Sequence, residues 1–317
     1  MFTRAFFTFF PPPNFLRMPA VGLDVSDEAV RFVEFVQGRH GLELGRYGQK
    51  PLPPGAVESG YIKDSATVTA LLKGLKKEYD LNCIRTALPE EKAYLFKIEI
   101  PKVSHKEIRA AIELRLEENV PLAPAQAIFD YEIGKENNEQ GTMEVSVSVL
   151  PEKVITTYLD VFTQAGLTPV GFEMEGRAMS KAFIRDGDHG TYIIANLAER
   201  KTGVFIVSDG VVRFTSTLYA INSLSTLKDE LAKVSIYWST HGEKNKKIDR
   251  VILCGENPDM ANVSAYLAPR LKIAVEQGNP WINAFSFDDY IPGIDALKSL
   301  SFGVPIGLAL SLSKNHV

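Results

Sequence analysis

The chain reads as a duplicated α/β fold, two lobes of like design facing each other across a cleft, with a small α+β module inserted between them. Three observations predict it. A pattern of three strands, a helix and one more strand occurs twice, about 170 residues apart. A capped helix, two strands and a second helix fill the stretch 97–170 between the copies. Finally, 317 residues at 45% hydrophobic and 23% charged match ordinary soluble domains and suffice for two of them.

The first copy opens on the apolar run Ala20–Val25. Ser26-Asp27-Glu28 make a polar turn, and Val30, Phe32, Val33, Phe35 and Val36 mark a second strand. Gly38-Arg39-His40-Gly41 supply the next turn, and Leu42 and Leu44 start a third strand. A helix over Thr67–Tyr79 and a strand over Ile84–Leu88 complete the unit. In the second copy the strands are Tyr192–Leu197, Thr202–Val207 and Val211–Thr217, with Ser208-Asp209-Gly210 as a hairpin turn. Its helix is Leu224–Thr240 and its last strand Arg250–Cys254.

The inserted stretch begins with a strand ending over Lys97–Pro101. Ser104 to Glu107 spell a capping box. Ile108, Ile112, Leu116 and Val120 then predict one helix with a single apolar stripe, stopped by Pro121. This stripe is expected to pack on the module's own sheet, Ala127–Ile133 and Met143–Leu150, joined by a polar loop over Lys135–Gln140. A second helix, Val154–Gln164, ends at Gly166. The C-terminal segment Phe302–Leu312 is a helix candidate whose Gly303, Gly307 and Ala309 allow close packing, with Pro305 tolerated in its first turn. The expected borders are an arm over 1–19, a first lobe over 20–96 and 171–190, the module over 97–170 and a second lobe over 191–317. The last helix is expected to pack back toward the first lobe.

Composition excludes several function classes. A net charge of −4 gives no electrostatic footprint for nucleic acid. No stretch has the roughly 20 apolar residues of a membrane-crossing helix. The histidines His40, His105, His189, His241 and His316 show no metal-ligand spacing, so no metal site is expected. Cys83 and Cys254 read as buried thiols of a reducing compartment. There is no nucleophile elbow and no Walker lysine motif. Met1–Phe10 carries five phenylalanines ahead of Pro11-Pro12-Pro13. Two readings stand for it: a disordered arm, or an aromatic anchor for a membrane surface or partner groove.

Several stretches in this order resemble the PilM family, the actin-like proteins of bacterial type IV pilus assembly, itself similar to the cell-division protein FtsA. They are Val21-Gly22-Leu23-Asp24-Val25, Leu88-Pro89-Glu90-Glu91, Ile98-Glu99-Ile100-Pro101, the helix from Glu107 to Glu113, Asn119-Val120-Pro121-Leu122 and Phe129-Asp130-Tyr131. Asp229-Glu230-Leu231, Tyr237-Trp238, Val251 to Gly255, Asn279-Pro280-Trp281 and Gly303 to Leu310 continue it to the C-terminus. The resemblance implies an actin-like (ASKHA) fold of duplicated ribonuclease-H-like domains. It implies a cytoplasmic adaptor, peripheral on the inner membrane, that takes the N-terminal tail of a PilN-like membrane protein in a groove beside the inserted module. Other pilus assembly proteins and a second copy of the chain are further partners it allows. ATP with Mg²⁺ is the cofactor a working cleft of this fold would hold.

An actin-like nucleotide site needs tight turns that aim backbone N–H groups at phosphates, and a carboxylate for the metal. Here the candidates are Gly22, Asp24 and Ser26 in the first turn, Asn196 and Thr202 in the second, Glu230 and Lys233 on a helix, and Gly255. The set is degenerate. Ser26-Asp27-Glu28 replace a Gly-Ser or Gly-Thr pair and bring two carboxylates to the phosphates. Asn196-Leu197-Ala198 stand where Asp-Ile-Gly is the rule, so the metal-handling acid is gone. The expected Gly-Gly is missing from Tyr219-Ala220-Ile221-Asn222, and Gly255-Glu256-Asn257-Pro258 replace Gly-Gly-x-Ser. Glu230 and Lys233 equally read as a surface pair. A scaffold without catalysis is the leading expectation. A nucleotide-dependent enzyme such as a sugar-kinase-like phosphotransferase, and an FtsA-like or secretion-system homologue, are the alternatives.

Overall fold

The computed structural model describes residues 20–314 apart from His40, 138–140, Ala220, Asn222, 244–245 and Pro258. The aromatic arm, the tip of the polar loop, His316 and these single positions therefore lie outside the described residues. Two five-stranded sheets of the same design dominate the molecule.

The first copy supplies β1 (Ala20–Val25), β2 (Ala29–Gln37) and β3 (Leu42–Pro51), then the short pair β4 (Val57–Glu58) and β5 (Tyr61–Ile62). Helix α1 (Ser65–Tyr79) follows, with the Asp64 carboxylate accepting from the Thr67 N–H at 3.0 Å, a cap worth about 1 kcal/mol. β6 (Cys83–Leu88) runs parallel to β1. The inserted stretch contributes β7 (Tyr94–Pro101), α2 (His105–Glu113), α3 (Leu116–Asn119), β8 (Ala127–Asn137) and β9 (Thr142–Pro151). Next come α4 (Glu152–Gln164), β10 (Thr168–Met174) and α5 (Glu175–Phe183). The second copy supplies β11 (Thr191–Leu197), β12 (Lys201–Ser208), β13 (Val211–Tyr219), α6 (Leu224–His241), β14 (Arg250–Gly255), α7 (Met260–Leu271) and β15 (Ala274–Gln277). A short α8 (Ala296–Ser299) leads into α9 (Gly303–Lys314).

The sheet orders are β10-β6-β1-β2-β3 and β13-β12-β11-β14-β15. In each, an antiparallel meander abuts parallel strands, so the duplication read from strand and turn pattern is present in space. The hairpin turn at Asp209-Gly210 has both residues at positive φ, 53° and 75°, which suits the twist of the flanking strands.

Alternation along β1 decides what each face of the first sheet carries. Val21, Leu23 and Val25 share a core with Leu72 and Leu75 of α1 and Tyr158 and Phe162 of α4. Gly22 faces the other way, against α9. A Cβ there would stand 2.1 Å from the Pro305 carbonyl, so only glycine lets the helix lie this close. Helix α9 is apolar all round over residues 303–310, with Val304, Ile306, Leu308 and Leu310 buried. Together with Ala178, Met179 and Phe183 of α5 it packs beneath Ile193, Ala195 and Phe205 of the second sheet. Leu227 and Leu231 of α6 and Val263 and Leu267 of α7 belong to the same core. The pair α5 and α9 is thus shared by both sheets, although the sequence assigned α5 to the first lobe alone.

Three further expectations are corrected. The stripe Ile108, Ile112, Leu116 and Val120 is buried on Val145, Val147 and Val149 as expected, but not by one helix. A spacing of four drifts about 40° per step on a straight helix. The chain breaks at Leu114 and Arg115 to restore the phase, leaving Leu114 81% exposed. Second, β8 extends through Asn137, because pairing of Glu136 with Met143 and Asn137 with Thr142 overrides the polarity of that run. Third, α4 does not join the module's core. Val154, Tyr158, Val161 and Phe162 are buried with α1 in the first lobe, and β10 adds to the first sheet beside β6. Gly166 ends α4 with φ 76°, its N–H reaching Thr163 O at 2.9 Å and the Leu167 N–H reaching Phe162 O at 2.9 Å, a Schellman closure. Of the cysteines, Cys254 is buried and Cys83 half-buried.

Candidate functional site

Two concave regions are candidates. The first is the cleft at the carboxyl ends of the parallel strands of both sheets, the position where open α/β sheets bind ligands. Asp24 and Ser26 come from β1 and its turn, Glu91 from the turn after β6, Asn196 and Ala198 from the end of β11, Lys201 from β12, and Gly255 and Glu256 from the end of β14. Asp24, Ser26, Asn196 and Gly255 are therefore brought together as the sequence predicts. The other four candidates are not cleft-lining. Gly22 is under α9, Thr202 is buried within the sheet, and Lys233 pairs with Glu230 at 2.6 Å on the surface of α6, Lys233 being 70% exposed.

The turns are closed on themselves. The Ser26 hydroxyl accepts from the N–H groups of Glu28 and Ala29 at 3.4 and 3.2 Å and donates to Ala29 O at 3.0 Å. The Asp27 carboxylate takes the N–H groups of Ser59 and Gly60 at 3.0 and 3.1 Å. The Ala198 N–H goes to Lys201 O at 3.0 Å, and the Glu256 N–H to Leu197 O at 2.6 Å. Gly255 has φ 97°, and a Cβ there would stand 2.2 Å from Leu197 O, so this glycine serves the approach of β14 to β11. The Asn196 amide donates to Glu175 at 3.2 Å.

Across the cleft the lobes meet through charge. Arg31, 5% exposed, pairs with Glu256, and Lys201, 18% exposed, pairs with Glu91 and stands 3.4 Å from Asp27. The Arg200 N–H also reaches Glu28 at 3.3 Å. Burial pushes Asp24 up to about 6, Arg31 and Lys201 pulling the other way. Burial and then the Glu91 charge push Glu175 up to about 8. Burial works against the ammonium of Lys201, but Glu91, Glu175 and Asp27 outweigh it and hold its pKa above the ordinary value.

A nucleoside triphosphate with Mg²⁺ does not fit this arrangement. The cavity holds about 60 Å³, whereas small-molecule pockets run to roughly 300–1,000 Å³. The turn amides of Ser26, Glu28, Ala29, Ala198 and Glu256 are already bonded within the protein. Six acidic residues (Asp24, Asp27, Glu28, Glu91, Glu175 and Glu256) line the cavity against two cations, Arg31 and Lys201, with Glu175 keeping its proton at neutral pH. Among the described residues no group of three or more His, Cys, Asp or Glu is placed to hold a metal ion. Sequence reading missed Arg31, Glu91, Glu175 and Lys201. Arg31 had a signal, a charge inside the apolar run of β2.

The second region is a groove of about 450 Å³ where the module meets both lobes. Three strands border it, each the outermost of its sheet: β8 through Ile128–Glu132, β10 through Phe172–Met174, and β13 through Val211 and Val212. Leu95, Ile128, Leu150, Ile155, Phe172 and Val212 give it apolar walls. At one side the buried Glu173 is ringed by Arg85 at 3.1 Å, Arg177 at 3.5 Å and Lys181, and accepts from Ser311 Oγ at 3.0 Å. Burial would raise the Glu173 carboxyl, but Lys181 above all, with Arg85 and Arg177, holds it below its ordinary value. Glu90 is buried beside it and accepts the Gly176 N–H at 3.1 Å, burial raising its pKa to about 7. None of these groove residues was singled out from sequence as lining a partner site.

Residues 22–216 match the sequence model of the family described as type IV pilus assembly protein PilM. A PilM–PilN type IV pilus biogenesis complex has a chain of similar structure, with TM-score 0.79 and 19% identity over 94% of this chain and 99% of that one. The ethanolamine utilization protein EutJ from Carboxydothermus hydrogenoformans is similar at TM-score 0.52 and 12% identity, over 93% of this chain and 91% of that one. The cytoplasmic domain of EpsL, an inner membrane component of the type II secretion system of Vibrio cholerae, is similar at 0.52 and 11%, over 92% and 94%. The likenesses establish an actin-like α/β fold. A search of functionally curated proteins finds no match.

Proposed function

The chain belongs to the PilM family of type IV pilus assembly proteins, and from that premise we propose that it is a non-catalytic adaptor whose working site is the groove, not the cleft. The tail of a PilN-like protein is the proposed occupant, a partner borne by the similar structure of a PilM–PilN complex. One observation carries the reading: the outermost strands of three sheets border a groove of about 450 Å³ with apolar walls. An extended peptide gains main-chain hydrogen bonds along such an edge and places alternate side chains into the wall pockets.

The same reading assigns no catalytic role to the cleft and no tight nucleotide binding. The lost acid at Asn196, the self-bonded turns and the small volume support it. A PilN-like tail would hold the protein at the cytoplasmic face of the inner membrane, as a peripheral component. No helix of the described residues is long and apolar enough to cross a membrane. Calorimetric titration with the N-terminal peptide of a PilN-like protein tests the proposal. Saturable binding that is lost on filling the groove is expected; no heat from a folded protein would overturn it.

A further inference from the structure

The cleft raises a problem of its own. The α5 and α9 layer packs against both sheets, and the cleft opens between them. Two cationic side chains cross its mouth. Arg31 on β2 of the first sheet reaches Glu256 beyond β14 of the second. Lys201 on β12 of the second sheet reaches back to Glu91 and Asp27 of the first. The two cations thus run in opposite directions between the lobes.

We infer that Arg31 and Lys201 are a built-in latch, which closes the two lobes by ion pairs across the cleft and makes the closed shape independent of any ligand. The chemistry is that of a phosphate clamp with the anions supplied from within. Carboxylates of Glu256, Glu91 and Asp27 stand as the anions for the two cations. Both cationic side chains are mostly buried, so these pairs are screened far less by salt than surface pairs. The Asp27 carboxylate adds a second duty: by capping Ser59 and Gly60 it fixes the first-lobe lip against which Lys201 docks.

The latch has a route to the groove. Glu91 holds Lys201 across the cleft, while its neighbour Glu90 holds the N–H of Gly176 at the start of α5, the helix that carries Arg177 and Lys181. Adjacent residues of one turn therefore tie the mouth of the cleft to the groove. This inference rests on the reading of the cleft as self-filled, and not on the identity of the partner.

Hydrogen–deuterium exchange of the full chain tests it, on segments 24–31, 55–62 and 196–203, with and without millimolar Mg-ATP. Glu256→Gln is the mild variant, because Glu256 lies at the rim and the amide keeps its shape; Lys201→Met is the severe one. Wild type is expected to exchange slowly in all three segments, unchanged by Mg-ATP. Each variant is expected to exchange faster on both lips, including the lip it does not alter, with β7 to β9 unchanged as the check on folding. Unchanged exchange in both variants overturns the latch. Protection of wild type by Mg-ATP overturns the reading of the cleft itself, which keeps the two failures distinguishable.

Discussion

The cleft and the groove are both lined by residues from both lobes, and they have gone opposite ways. In the cleft, charges face charges and every turn amide named above is spent inside the protein, leaving about 60 Å³. In the groove, Glu173 and its cations stand on one side and Asp130 and Glu132 on β8 on another, while apolar walls and the outermost strands of three sheets complete about 450 Å³. The cleft sits where the fold class would put a ligand. The difference teaches that position in a fold marks where a site can be, while the chemistry left exposed marks where one is.

The comparison breaks most easily at Glu173. Removing this buried carboxylate leaves Arg85, Arg177 and Lys181 facing one another. Glu173→Ala is expected to lose about 3–5 kcal/mol in chemical denaturation, the range for a broken buried pair. A loss below about 1 kcal/mol would mean that the three cations find water instead.

The next effect belongs to the cleft and depends on pH. Glu175 is raised to about 8 in the folded protein, above its ordinary 4.5. The folded state therefore holds this proton longer than the unfolded one, and its contribution is full below about 4.5. It is lost as pH rises toward about 8. Glu175→Gln removes that loss, so its stability relative to wild type is expected to grow across this window. The gain is on the order of a few kcal/mol, since each tenfold difference in proton affinity between the folded and unfolded states is worth about 1.4 kcal/mol. A pH-independent difference between the two proteins would contradict the assignment.

Ser148 sharpens the other side. It is half-buried on β9 and faces the groove. Ser148→Trp is expected to weaken a PilN-like tail peptide at least tenfold, about 1.4 kcal/mol, with unchanged thermal stability. Asn196→Asp in the cleft is expected to leave that affinity alone. The smallest effect is expected at Lys233, where Ala should change stability by less than about 0.5 kcal/mol, as for an exposed helix pair.

Much of the fold was legible because it rests on local pattern. The two meanders, the Asp209-Gly210 hairpin and the α9 glycines follow from alternation and turn chemistry. What escaped was set by tertiary partners. α4 and α5 are amphipathic helices, and nothing in their sequences says which core receives the apolar face. The break at Leu114 follows from a spacing of four, a signal that is present in the sequence but also passes for one continuous stripe. Of the cleft, Asp24, Ser26, Asn196 and Gly255 were placed correctly, since strand ends converge by topology. Lys201 and Glu175 were not found, because a charged residue at a strand or helix end looks the same whether it meets water or the opposite lobe. The groove was expected only as lying beside the module, since three sheet edges from distant stretches come together only in the folded chain.

One calorimetric experiment tests the central claim most directly: the same protein sample titrated first with Mg-ATP and then with the PilN-like tail peptide. The account predicts no saturable heat from the nucleotide and a saturable, single-site isotherm from the peptide. A saturable isotherm from Mg-ATP together with none from the peptide would contradict it, and would return the working site to the cleft.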